Sequence, residues 1–274
     1  MSNFKIIVNF ILSFITSVLL AILVLLIIFK CTVFSPSYVK NLLSNNDYYQ
    51  LLKNNIDEEI KDYNVSSKIP NDVFNNIYSL NDIECEVNNF IDNYYLGRVD
   101  AINEEGIKTK LTDNINSYLL EHNLRFTDSG DINSFIYDII KIISNNINLY
   151  NLLNNYADTF KSIGDVINIL IVIAFIILFI NTLVLKKIKT TYGATIIMAS
   201  SLILLFMRFI IFNEIEVTSI AIISNEFSKI IIEIYKSICN LTVIWAIVFL
   251  AISLIMLIIR RNKEEKRSVI YGRN

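Results

Sequence analysis

The sequence predicts an all-α membrane protein: four transmembrane helices, with a large helical extracytoplasmic domain between helices 1 and 2. Three observations carry that prediction. First, 54% of the 274 residues are hydrophobic and only 18% are charged, a balance that excludes a disordered tail, a collagen-like fibre and an ordinary soluble domain. Second, much of the apolar mass falls in four uninterrupted runs of about 20 residues, the length that crosses a hydrocarbon core of about 30 Å. Third, six Gly and two Pro leave too little turn chemistry for a β-sandwich or barrel and favour long helices.

Residues 1–30 comprise the N-terminus and helix 1, whose run from Ile6 to Phe29 carries no charge. A cleaved signal peptide is the rival, but its apolar core spans only about 7 to 15 residues and no small-x-small site follows this one. A lipoprotein reading of Cys31 fails on Lys30, which stands where a small residue is needed. Helix 2 is assigned to 166–185, helix 3 to 194–212 and helix 4 to 241–259. Lys186, Lys187 and Lys189 crowd the short loop 186–193, and Arg260, Arg261 and Lys263 open the basic tail 260–274. Basic flanks mark the cytoplasmic side. Both termini and the lysine loop are therefore expected inside a plasma membrane, with residues 31–165 and 213–240 outside.

Residues 31–165 are acidic, with about 20 Asp and Glu against about 10 Lys and Arg, and long enough to bury a core of their own. Apolar residues recur there at steps of three and four, the helical period. Tyr48, Leu52, Ile56, Ile60 and Tyr63 make one stripe, and Ile83, Val87, Phe90 and Tyr94 a second. Ile107, Leu111, Ile115 and Tyr118 make a third, and Ile132, Phe135, Ile136, Ile139 and Ile143 begin a fourth. Start and stop signals flank them: Ser35 before Pro36, Asn46 and Asp47, Asn71 and Asp72 after Pro70, Gly97 at an end, and Gly130 with Asp131 at a beginning. Residues 213–240 form an outer loop and an amphipathic stalk. No Gly or Pro interrupts Asn225 to Arg261, so helix 4 is expected to continue outward through Phe227, Ile230, Ile231, Ile234 and Ile238 and to pack on the outer domain. Helix 2 is likewise expected to begin near Asp158, with Gly164 as a candidate kink.

The polar residues inside the spans are few. Asn9, Ser13, Thr16 and Ser17 follow an i, i+4, i+7, i+8 pattern on helix 1, which reads as a helix-packing seam, with a polar conduit as the alternative. Asn168, Asn181, Ser200 and Ser201 are candidate partners for it. Arg208 lies near the outer end of helix 3, where it can snorkel to the interface or pair with Glu214 or Glu216. No span contains Pro, so the broken helices of secondary transporters are not signalled.

Catalytic chemistry has little to work with. His122 is the single histidine, which excludes HExxH and two-histidine metal centres and leaves one residue for any Ser-His-Asp triad. No GxSxG, P-loop or GxGxxG occurs. The stretch Thr127 to Asn133 has oxygen ligands and a Gly but not the spacing of a calcium loop, and Glu84 and Glu86 diverge on a helix. Cys31, Cys85 and Cys239 are an odd set; Cys31 and Cys239 fall near the outer ends of helices 1 and 4, where a pairing is conceivable.

The segments SPSYV (Ser35 to Val39), NDYY (Asn46 to Tyr49) and DNYYLGR (Asp92 to Arg98) resemble a group of uncharacterised four-span membrane proteins of low-GC Gram-positive bacteria. The resemblance implies a plasma-membrane protein facing the cell wall and brings no activity with it. The sequence thus points to a non-enzymatic multi-pass protein, without a cofactor or a nucleic-acid partner. Its outer helical domain is expected to bind an envelope component, a sensory partner or another copy of itself, while the spans meet the lipid bilayer. The alternatives are a transport-related mechanotransmission subunit, similar in layout to the permease that pairs with a cell-division ATPase, an oligomeric channel, or an envelope enzyme using His122.

Overall fold

The computed structural model describes residues 3–67, 71–74, 77–98, 103–123, 129–147, 154–185, 191–213 and 225–271. Among them every regular element is helical: α1 Asn3–Cys31, α2 Pro36–Asn45, α3 Tyr48–Ser67, α4 Leu80–Tyr95, α5 Glu104–Glu121, α6 Ser129–Ile147, α7 Ala157–Leu185, α8 Thr191–Asn213 and α9 Asn225–Tyr271. Short 3₁₀ turns lie at Asn71–Phe74 and Asn154–Tyr156. The chain divides into two compact units, Met1–Ser35 with Gly164–Asn274, and Pro36–Ile163.

The first unit holds four segments long and apolar enough to cross a membrane: Ile7–Cys31 of α1, the helix Ala157–Leu183 that enters this unit at Gly164, Tyr192–Phe209 of α8 and Lys229–Lys263 of α9. Each satisfies its backbone N–H and C=O groups within its own helix, which is what a long apolar stretch requires where water is absent. α1, α8 and α9 pack pairwise. Their common core comprises Ala21, Val24 and Ile28 of α1, Leu204 of α8, and Ile238 and Ala246 of α9. The two alanines let helix backbones approach closely. α7 stays outside that core: Ala174 is buried, whereas Ile169, Phe175 and Phe179 are exposed. It runs unbroken through Gly164, where a Cβ would come within 3.2 Å of Phe34; the glycine allows that close contact. α9 is 47 residues long, about 70 Å at 1.5 Å per residue.

The second unit is a helical bundle in which α2, α3 and α4 pack on one another, α3 on α6, and α5 on α6 and the first 3₁₀ turn. The buried stripes are Leu52, Ile56 and Ile60 of α3, Ile83, Val87 and Phe90 of α4, Ile107, Leu111 and Ile115 of α5, and Phe135, Ile136, Ile139 and Ile143 of α6. Two residues depart from the stripe pattern. Tyr118 stacks on His122 with ring centroids 4.1 Å apart, and Tyr63 reaches the edge to donate to Asp138 Oδ2 at 3.0 Å.

Helix ends show which local signals operate. Ser79 caps α4: its hydroxyl accepts from Asp82 N while Asp82 Oδ2 accepts from Ser79 N, a reciprocal capping box. Asn103 caps α5 by accepting from Gly106 N. Asn46 and Asp47 act differently from the caps the sequence suggests. The Asn46 amide donates back to Leu42 O, and Asp47 takes a left-handed φ of 53° to turn the chain into α3, a conformation that Asn and Asp tolerate. Asn71 and Asp72 open a 3₁₀ turn instead of an α-helix, and α6 already includes Ser129, so Gly130 and Asp131 lie within its first turn.

Gly97 follows the end of α4 at φ +71°, and a Cβ there would meet Lys161 Cδ at 2.9 Å and Asp158 Oδ1 at 3.0 Å. Gly97→Ala is expected to destabilise the protein by at least ~1–2 kcal/mol, the cost of left-handed backbone for a residue with a Cβ. Leu111→Ala, at a fully buried site, should cost ~2–5 kcal/mol, whereas Leu120→Ala on the exposed face should stay within ~0.5 kcal/mol. Thermal unfolding of the purified chain in detergent measures all three.

Candidate functional site

Two polar places stand out against the apolar background, one in each unit. In the first unit the α1 seam is buried: Asn9 is 6% exposed, Thr16 5% and Ser17 2%, and Ser13 is half-buried. Thr16 Oγ1 donates to Leu12 O at 2.7 Å, and Ser17 Oγ donates to Ser13 O at 2.8 Å. Serines and threonines in helices satisfy their hydroxyls this way, on the carbonyl one turn back. The seam also crosses between helices. Ser200 Oγ lies 2.9 Å from both Ser17 O and Ile196 O, and Asn181 Nδ2 reaches Thr16 Oγ1 at 3.3 Å. Asn168, by contrast, is exposed on α7.

A second set of crossings joins α8 to α9. Ser201 Oγ donates to Ala246 O at 2.7 Å, and Ser253 Oγ donates to Ala194 O at 3.0 Å. All of these hydroxyls sit at full burial. Ser253 and Thr242 escaped the sequence reading because a lone serine or threonine in an apolar run carries no pattern; only the partner helix shows what it faces.

The remaining membrane-associated residues are placed as follows. Arg208 is half-buried on α8. Glu214 and Glu216, its expected partners, lie outside the described residues, as do Lys186, Lys187 and Lys189. Arg260, Arg261 and Lys263 lie on α9, which continues past them as a helix. Of the stalk residues, Ile230 and Ile238 are buried and Ile231 and Ile234 half-buried; the Phe227 side chain lies outside those described. Cys31, Cys85 and Cys239 are free thiols, so the conceivable pairing of Cys31 with Cys239 is not formed.

In the second unit a cavity of about 250 Å³ opens between α3, the Asn71–Phe74 turn and the start of α4. Ile56, Ile60 and Ile77 make its floor, buried to 7% exposure or less, with Phe74, Tyr78 and Asn64 closing the sides. The mouth carries Lys53, Asp57 and Lys61, spaced four apart along one face of α3, and Ser79 opposite. Lys53 Nζ pairs with Asp57; Lys61 forms no ion pair among the described residues. The sequence stripe identified Ile56 and Ile60 as core but missed the cavity, because a void arises from how three elements fail to meet. The capping serine at its rim was legible as Ser79-x-x-Asp82 ahead of an apolar period.

Other polar groups of this unit act structurally. Burial pushes the Asp82 carboxyl up, but the Ser79 N–H, the Lys110 ammonium 2.9 Å away and the Ser79 hydroxyl together hold it below the usual carboxylate range. Burial, with the nearby Glu84 charge, pushes Tyr49 up to about 12, while its bond to Asn88 works against the rise. Tyr94 and Tyr95, both raised by burial, flank Phe160 at centroid distances of 5.0 and 5.1 Å. His122 caps α5, exposed, with Nδ1 3.0 Å from Tyr118 O. No family model, curated protein or solved structure matches the chain.

Ser201→Ala and Ser253→Ala should each lower stability by ~0.5–1.5 kcal/mol, the range of interhelical hydroxyl bonds. Ser201→Leu should cost more, because the fully buried site has no room for the added volume. Melting temperatures in one detergent check the order. Because the folded-state pKa of Asp82 lies below its unfolded value, its contribution is complete above that unfolded value, near 3.9, and disappears as pH falls through the folded value. Asp82→Asn should therefore be less stable than the parent at neutral pH, and the gap should close under acid, as melting curves at pH ~7 and ~3 will record.

Proposed function

We propose that this chain is a non-enzymatic multi-pass protein of the plasma membrane whose helical module, residues 31–165, faces outward and binds an envelope component. The observation that carries the reading is the independent core of Pro36–Ile163 with a cavity beside it, on a chain whose other unit consists of apolar helices. A module that served only to join two spans would need neither. The orientation rests on charge: lysines and arginines flank the expected inner ends, while the module itself is acidic and is long enough to cross irrespective of the charge rule for short loops. The non-enzymatic part rests on the inventory, since His122 lies exposed at a helix end and holds Tyr118 by stacking and a hydrogen bond. The resemblance to four-span proteins of low-GC Gram-positive bacteria agrees with a surface facing the cell wall. Binding to a second copy is the alternative within this reading.

Cys85 is exposed on α4 and makes a natural probe. In a Cys31→Ser background, a membrane-impermeant maleimide should label intact protoplasts at Cys85, and Cys85→Ser should remove the label. Labelling only after lysis would reverse the orientation. Crosslinking in native membranes should then recover an envelope component or a dimer attached through residues 36–163; a monomer with nothing attached would overturn the binding role.

A further inference from the structure

We propose that the cavity beside α3 binds a small organic acid, one carboxylate on a compact apolar body, with the Lys61 ammonium holding the carboxylate at the mouth. The inference rests on the reading of residues 36–163 as a binding module and gives that module a ligand class. Size comes first. A volume of about 250 Å³ equals roughly eight waters at ~30 Å³ each and falls below the ~300–1,000 Å³ of drug-sized sites. It admits a single ring or a short branched chain and excludes a nucleotide or an oligosaccharide.

The chemistry of the walls comes second. Ile56, Ile60 and Ile77, all buried, offer an apolar floor to which inorganic phosphate or sulfate contributes nothing, whereas a hydrocarbon body gains about 25 cal/mol per Å² covered. The charge at the mouth is the third observation. Lys53 and Asp57 neutralise each other, which leaves Lys61 as the net charge among the described lining residues. The described residues thus make the cavity mouth positive on a module that is otherwise acidic. Lys61 repels a cationic ligand, and a neutral one leaves that charge unused. A metal ion finds a single carboxylate, Asp57, among the described lining residues. A carboxylate beside Lys61 makes a charge-assisted hydrogen bond, with the Lys61 ammonium as its donor, since the Ser79 hydroxyl at the rim already donates to Asp82 Oδ2.

The test uses the full chain in detergent at neutral pH, with butyrate, phenylacetate and indole-3-acetate as probes and their amides as neutral matches. Ligand-observed NMR titration gives the affinities. At least one acid should bind with a Kd below about 5 mM, and its amide should bind at least about tenfold more weakly. Lys61→Gln should weaken the acid by about tenfold, Lys61→Arg should retain it, and Lys108→Gln, exposed on α5 away from the cavity, should leave it unchanged. Unaltered melting temperature in Lys61→Gln confirms that the fold is kept. No acid binding below that limit, equal binding of acid and amide, or indifference to Lys61→Gln would each overturn the proposal. Failure here together with Cys85 labelling and a crosslinked partner removes only the ligand class. Acid binding without outside labelling keeps the cavity and removes the orientation.

Discussion

The backbone hydrogen bond is the constraint on which the rest of this protein depends. A run of 20 or more apolar residues carries an N–H and a C=O at every step, and where no water reaches them a helix is the arrangement that pairs them within one segment. The same demand governs the few hydroxyls that the apolar unit retains. Thr16, Ser17, Ser200, Ser201, Thr242 and Ser253 each spend the hydroxyl proton on a carbonyl, either one turn back, as Thr16 does on Leu12, or across to a neighbour, as Ser201 does on Ala246, whereas the buried Ser13 Oγ has no partner among the described residues. The crossing bonds set helix register: a slide of one residue would take Ser253 off Ala194 and press larger side chains against Ala21 and Ala246.

The acidic unit answers to different physics. Its helices are short and polar on one face, so burial of an apolar stripe, rather than backbone pairing alone, keeps them folded. Its ion pairs, Lys40 with Asp92 and Lys110 with Asp82, are partly exposed and add little. What they do is local. Lys110 and the Ser79 cap converge on one carboxylate, which ties the start of α4 to α5, and the Lys53 and Asp57 pair cancels charge at the cavity mouth. Lys61 then stands out because its neighbours are already satisfied.

Legibility in the sequence followed the range of each interaction. Ile83, Val87, Phe90 and Tyr94, read as one stripe, are all buried, since helical period alone places them together. Tyr118 shared that period and went elsewhere, because a ring at the last turn found His122 closer than the core. Gly164, a kink candidate by residue type, lies against Phe34, information that lies over a hundred residues away in the chain. Ser200 and Ser201 could be suspected as polar residues in an apolar run, but their different acceptors, Ser17 O and Ala246 O, depend on which helices adjoin.

The amino-acid order by itself determined the helical class, the four apolar segments and most of the buried stripes, because these follow from interactions between residues three or four apart and from hydrophobic length. Tertiary structure alone decided that α1, α8 and α9 share a core while α7 stays exposed, and that a cavity floored by Ile56, Ile60 and Ile77 opens beside α3. Those outcomes arise where separate helices meet or fall short of meeting, and no local spacing encodes the gap between them.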